Sequence, residues 1–297
     1  MEFFDIHPID LMIGGVLALV MLGIGLSLSI DDLRSVVVKP RSLITGLLIQ
    51  MIGAPLLAIL IVSFFDMPVF FKIGFIILST CPGGTTSSFV VYLFRSNVAL
   101  SLTLTTINSI LSLFSIPVLV NGALYFYLHK STEIHLPFLH SILQIFLVTI
   151  IPASLGIFIR AKRPRFADRV RVPTKYIMLT LLAIVFIVKF FADEDQGGTG
   201  INMKDIWMIL PAGLIFHFGS FFLTYYLGRI AKLNTNDSLA ISIEVSLHNT
   251  TLAFLVAGTL LQNEDMVKPA LIYSLFSFVL TLLYSFIYRN KAQTLQL

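Results

Sequence analysis

Nine runs of roughly 20 apolar residues, each long enough to cross a bilayer, leave this chain few ways to fold. They cover 9–30, 43–65, 69–94, 98–124, 137–159, 174–191, 206–228, 238–261 and 269–287. Backbone N–H and C=O groups find no water in a hydrocarbon layer, so a spanning segment must pair them internally, as a helix or within a closed barrel. Continuous runs of this length read as helices. Of the 297 residues, 57% are hydrophobic and 12% charged, too few charges to cover a soluble surface of that size. The expectation is an all-α integral membrane protein with nine transmembrane helices. The connections are short, so residues 1–297 should form a single transmembrane domain with no separate soluble one.

Charge orients the spans. Assigning the connections alternately to two faces puts 15 of the 20 Lys and Arg on one side, leaving Lys72, Lys130, Lys189, Lys204 and Lys268 on the other. The richer side is expected to be cytoplasmic, with the N-terminus outside, the C-terminus inside, and the chain multi-pass in the cell (inner or plasma) membrane. The pI of 9.2 then follows from topology and asks for no nucleic-acid partner. The run from Arg160 to Arg171 reads as an orientation signal, with an anionic-lipid patch as the alternative. No positive charge precedes the first run, which argues against a secretory signal or transit peptide. The single Cys81 cannot form an internal disulfide.

Two runs are interrupted by polar residues. The third contains Ser79-Thr80-Cys81-Pro82-Gly83-Gly84-Thr85-Thr86-Ser87-Ser88 and the eighth Glu244-Val245-Ser246-Leu247-His248-Asn249-Thr250-Thr251. Pro82 lacks an N–H, and Gly83 and Gly84 permit non-helical dihedrals, so these three mark a helix break. A broken helix exposes carbonyls where its first half ends and N–H groups where its second begins, each end carrying about half a charge. The carbonyl ends suit a hard cation, and the N-terminal ends, near Thr85 and Thr250, suit an anion. A structural kink alone would explain Pro-Gly-Gly. Glu244, however, is the one acid of 16 placed deep in an apolar run, and an acid there needs a cation, a proton or a partner. The Thr-Thr pair recurs after each break, and Gln50-Met51-Ile52-Gly53 in the second run is echoed by His217-Phe218-Gly219 in the seventh. Two halves, approximately 9–124 and 174–287, would flank an extra helix at 137–159. They begin on opposite faces, which makes the repeat inverted.

These residues resemble the bile acid:sodium symporter family in its bacterial form. The likeness rests on Cys81-Pro82-Gly83-Gly84-Thr85, Asn97-Val98-Ala99-Leu100-Ser101, Ile243-Glu244-Val245 and His248-Asn249, with Gly23-Ile24-Gly25-Leu26-Ser27-Leu28 and Gln50 as earlier markers. It implies a nine-helix fold of core and panel domains, in which two broken helices cross at mid-membrane. It further implies a symporter that couples one or two sodium ions to an organic anion, bile-acid-like or a small carboxylate, by alternating access. Carried over by position, one sodium site comprises Ser87, Ser88, Ser101, Thr105 and Glu244, whose oxygens suit a hard cation. Ser101 and Thr105 also share one helix face. A second site comprises Gln50, Glu244, Val245, Leu247 and His248. The family commonly has Asn at the position of Ser88 and usually Gln at that of His248. Imidazole offers nitrogen rather than a hard oxygen, and if protonated it supplies a positive charge itself. Thr85 and Asn249 are the candidate substrate contacts, while His217 reads as a packing contact between helices.

Other functions compete for the same spans. A proton-coupled or sodium-independent anion carrier or exporter needs no further residues, and a regulated conduit differs only in failing to accumulate solute against a gradient. An intramembrane enzyme fits less well. The six His residues include no His-Glu-x-x-His spacing, and no Gly-x-Ser-x-Gly or Walker-type loop occurs. The expected partners are therefore sodium, a small organic anion and the lipid bilayer.

Overall fold

The computed structural model describes residues 8–28, 40–128 and 135–294. Arg34, Lys39, Lys130 and both chain termini, which enter the charge-based orientation, lie outside the described residues. Eleven helices follow in order: α1 (Pro8–Ser27), α2 (Pro40–Ser63), α3 (Val69–Thr80), α4 (Thr85–Leu93), α5 (Val98–Leu128), α6 (Phe138–Lys162), α7 (Pro164–Phe191), α8 (Met203–Ile230), α9 (Thr235–Ser246), α10 (Thr250–Leu260) and α11 (Glu264–Thr294). No strand occurs among the described residues beyond one isolated antiparallel pairing of Gly83 with His248. Five helices, α2, α5, α6, α8 and α11, are each long and apolar enough to cross a membrane. Their outward residues, among them Leu56, Phe126, Phe158 and Phe286, are large, apolar and exposed, as lipid contact requires. The protein is a multi-pass membrane protein.

Local chemistry sets the helix ends. Asn202 opens α8 by accepting from the Lys204 and Asp205 N–H groups at 2.9 and 3.1 Å, and the Asp205 side chain accepts from the Asn202 N–H in return, a capping box. Helix α7 begins at Pro164, ten residues ahead of its apolar run, because proline is tolerated in a first helical turn. Arg165 and Arg169 therefore sit on a helix rather than in a loop, and Arg160 at the end of α6 pairs with Asp168. Helices α4 and α10 end alike. Arg95 follows the first with φ of 52° and Gln262 the second with φ of 49°. Each is followed by an Asn cap, Asn97 accepting from the Leu100 N–H at 3.0 Å and Asn263 from the Met266 N–H at 3.1 Å.

The helices sort into two groups. One contains α1, α6 and α7, with α1 packed on both others. Gly25 and Gly156 let α1 and α6 touch, since a Cβ at either would strike the partner's backbone at Ala153 or Leu22, the small-residue contact common in membranes. In the other group α3 packs on α5 and α11, α8 on α9 and α11, and α9 on α5. Two apolar clusters are buried, the first shared with α1, α6 and α7. One holds Phe75, Phe216, Leu252 and Tyr273, the other Val90, Leu100, Phe221, Leu247 and Tyr284. The second group of helices also buries a set of polar residues drawn from several of its members, among them Ser79, Ser87, Thr105, His217, Glu244, Asn249 and Thr281.

Candidate functional site

Several of these buried polar residues meet at the two breaks. Helix α3 stops where Ser79 and Thr80 turn their hydroxyls back onto the Ile76 and Ile77 carbonyls, both at 2.7 Å, a bond that competes with helix propagation. Cys81 is extended, and α4 resumes after Gly84. Helix α9 stops at Ser246, and α10 resumes with Asn249 as its cap, the side-chain Oδ1 accepting from the Leu252 N–H at 3.0 Å. The breaks lie against each other: Gly83 pairs with His248, and the Asn249 N–H donates to the Pro82 carbonyl at 2.7 Å.

Glu244 is wholly buried at this crossing. Ser87 and Ser101 donate to its Oε2 at 2.8 and 2.7 Å, Thr105 donates to its Oε1, and the Ser88 hydroxyl meets that of Ser101 at 3.1 Å. All five residues of the first expected cation set are thus brought together, from α4, α5 and α9. Gly83 makes room for them, because a Cβ there would collide with the Glu244 carboxylate and the Ser87 hydroxyl. Among the described residues no Lys or Arg pairs with Glu244. A desolvated carboxylate with hydroxyl donors but no counter-charge is costly. Each hydroxyl retains lone pairs of its own, so the cluster offers the hard oxygens and the negative charge that sodium takes.

The second expected set is only partly assembled. Gln50 sits on a π-helical turn of α2, Ile49–Gly53, and its Nε2 reaches the Cys81 carbonyl at 3.2 Å and that of Ser79 at 3.4 Å. His248 stacks on Phe216, ring centroids 5.2 Å apart, and its Nδ1 lies 3.1 Å from the same Cys81 oxygen. Gln50 and His248 therefore meet at Cys81. Glu244 makes no hydrogen bond to either and faces the three hydroxyls instead. Val245 and Leu247 are buried apolar residues with only backbone oxygens to give. At the crossing, Gln50 Oε1, His248 Nε2 and Asn249 Nδ2 are buried without a hydrogen-bond partner among the described residues. Of the candidate substrate contacts, Asn249 spends its oxygen on the helix cap and keeps its amide donors. Thr85 begins α4, but its side chain lies outside what the structure describes.

Two supports escaped the sequence. Tyr273 on α11 donates to the Ser246 carbonyl at 2.6 Å and accepts from the Nδ1 of His217 at 2.9 Å. His217 does pack between helices, and it also steadies the end of α9 through Tyr273. Asp237, at the start of α9, accepts from Ser42 at 2.6 Å and Asn97 at 2.8 Å, joining the starts of α2, α5 and α9. Nothing in an unaligned sequence separates Tyr273 from its apolar neighbours. An apolar groove of about 470 Å³ between α1, α6 and α7, lined by residues such as Val16, Leu19 and Leu155, carries almost no polar surface and plays no part in ion chemistry.

Comparison with known proteins gives a consistent picture. The family model of the sodium bile acid symporters matches residues 15–196. The probable sodium/metabolite cotransporter BASS1 of Arabidopsis thaliana chloroplasts is 29% identical over 93% of the chain and 66% of its own length. The uncharacterized sodium-dependent transporter YocS of Bacillus subtilis is 28% identical over 81% of the chain and 72% of its own. The human ileal sodium/bile acid cotransporter is 26% identical over 88% and 73%. The chain spans just under two thirds of the length of the Arabidopsis relative.

Proposed function

The chain belongs to the sodium bile acid symporter family, and from that premise we propose that it is a secondary carrier moving sodium together with a small organic anion. The family is one of transporters, not enzymes. The observation that carries the proposal is the buried Glu244 carboxylate, ringed by Ser87, Ser88, Ser101 and Thr105 where two broken helices meet, with no Lys or Arg paired to it among the described residues. Sodium would settle among these oxygens and cancel the charge. The anion would then lie near the N-terminal ends of α4 and α10, where free N–H groups and the Asn249 amide face it. Thr85 is the second proposed contact.

Nine membrane spans follow if α1, α7 and the broken pairs α3/α4 and α9/α10 join the five long helices. The like endings of α4 and α10 support an inverted repeat of 9–124 and 174–287 about α6. We read residues 1–297 as one transport domain, with α1, α6 and α7 as the panel and the other helices as the core. Alternating access would move one group against the other, in the cell membrane with the N-terminus outside.

The names of the relatives point to bile acids and small metabolites, so both classes belong in the test. Purified protein in liposomes should accumulate a labelled bile acid or small carboxylate when sodium is higher outside. Equilibration to the same level whatever the direction of the sodium gradient would show an uncoupled conduit and overturn the proposal.

A further inference from the structure

We infer that this chain binds a single sodium ion, because His248 and Gln50 together occupy the carbonyl at the first break and Glu244 faces away from them. This rests on the sodium-coupled reading above. A carbonyl oxygen only accepts, so the His248 nitrogen 3.1 Å from Cys81 O must carry a hydrogen and donate it. The Gln50 amide N–H reaches the same oxygen at 3.2 Å. A carbonyl has two lone pairs, and these two donors use both. Its neighbours accept one bond each, Pro82 O from the Asn249 N–H and Ser246 O from the Tyr273 hydroxyl, and keep one lone pair apiece on a neutral oxygen. Besides the neutral backbone oxygens of Val245 and Leu247, what the side chains turn toward a second cation is one amide oxygen, Gln50 Oε1, and one imidazole nitrogen, His248 Nε2, neither hydrogen-bonded among the described residues.

A nitrogen among neutral oxygens does not make a sodium site here. Nitrogen is a poor ligand for a hard cation, and no negative charge is left to offset the ion's dehydration. Both Glu244 oxygens are turned to Ser87, Ser101 and Thr105. A glutamine at position 248 would differ in kind, since its amide can present oxygen and need not aim an N–H at Cys81. His248 thus sets the ion count: the first cluster takes sodium, and the second break, its Cys81 carbonyl taken by two donors and its remaining ligands uncharged, does not.

Direct binding of ²²Na⁺ to the purified protein tests this without any transported substrate, alongside sodium titration of its thermal midpoint. Wild type should bind one ion per chain with a Hill coefficient of about 1, and its midpoint should rise against the logarithm of sodium with a one-ion slope. His248→Gln should add a second ion and double that slope, whereas His248→Ala, which frees Cys81 but supplies no oxygen, should stay at one. Two ions in the wild type, or a His248→Gln protein that still binds one, would overturn the inference. Absence of any sodium response in the wild type would instead overturn the sodium-coupled reading on which it rests.

Discussion

Replacing Glu244 by Gln removes a buried charge while keeping an oxygen within reach of Ser87, Ser101 and Thr105. The variant should fold at least as stably as wild type in sodium-free buffer, because a neutral amide costs less to bury than an unpaired carboxylate. It should lose the sodium-induced rise in thermal midpoint, with affinity down by roughly a hundredfold, or about 2.7 kcal/mol. A variant that kept its sodium-dependent midpoint would place the ion elsewhere. Glu244 was legible in the sequence, since a lone acid in an apolar run is expensive enough to demand a reason. Its hydroxyl partners were legible only together: a Ser or Thr in a membrane helix ordinarily bonds its own preceding turn, and Thr105 also does so, to Ser101 O at 3.0 Å. Tyr273 and Asp237 were not legible, because their roles arise from contacts with helices remote in the chain.

Among the elements, the two breaks were readable from Pro82, Gly83, Gly84 and the polar stretch after Glu244 taken together; proline alone need not end a helix, as Pro117, Pro173, Pro211 and Pro269 lie inside continuous ones. The π-helical turn that aims Gln50 at the crossing was not, since Ile49, Met51 and Ile52 carry no signature of an extra backbone residue per turn. The early start of α7 was missed because hydropathy marks where a helix enters lipid, not where it begins. The adjacent glycines of the first break divide their duties in a way that substitution can expose. Gly84 is extended, with φ of −140°, and a Cβ there would find only the Asn249 amide at 4.0 Å. Gly84→Ala should therefore leave both stability and sodium affinity near wild type. Gly83→Ala must displace the Glu244 carboxylate or Ser87, which should cost about 1–3 kcal/mol and weaken sodium binding as well. Equal effects of the two changes in thermal and sodium titrations would deny Gly83 its role in making room for the ion site.

Across the whole molecule, the sequence supplied the number and order of apolar runs but not the grouping of α1, α6 and α7, which depends on backbone contacts such as Gly25 with Ala153 that no local pattern announces. Orientation remains testable on one helix. At 28 residues α7 is about 42 Å long, more than the roughly 30 Å of a hydrocarbon layer, so if it spans the membrane as proposed, Arg165 near its start and Asp195 just beyond its end would fall on opposite faces. Both are exposed, and the native Cys81 is buried. A membrane-impermeant thiol reagent added outside should label Asp195→Cys and spare Arg165→Cys; the reverse would invert the topology. The Asp195 end also carries an ion pair between the two helix groups, in which Lys189 of α7 meets Glu264 of α11 at 2.6 Å with side-chain exposures of 1% and 25%. Separation of the groups on that face requires this pair to break. The two partners are unequal, because a carboxylate that already touches water can be rehydrated in place whereas the lysine cannot. Glu264→Gln strands a buried ammonium and should destabilise by about 3 kcal/mol. Lys189→Met leaves the acid, whose side chain is 25% exposed, in contact with water and fills the space with apolar atoms, so it should cost clearly less while loosening the contact between the groups. Thermal unfolding of the two purified variants decides the matter: a Lys189→Met protein no more stable than Glu264→Gln would mean that burial of Lys189 does not govern the strength of this contact.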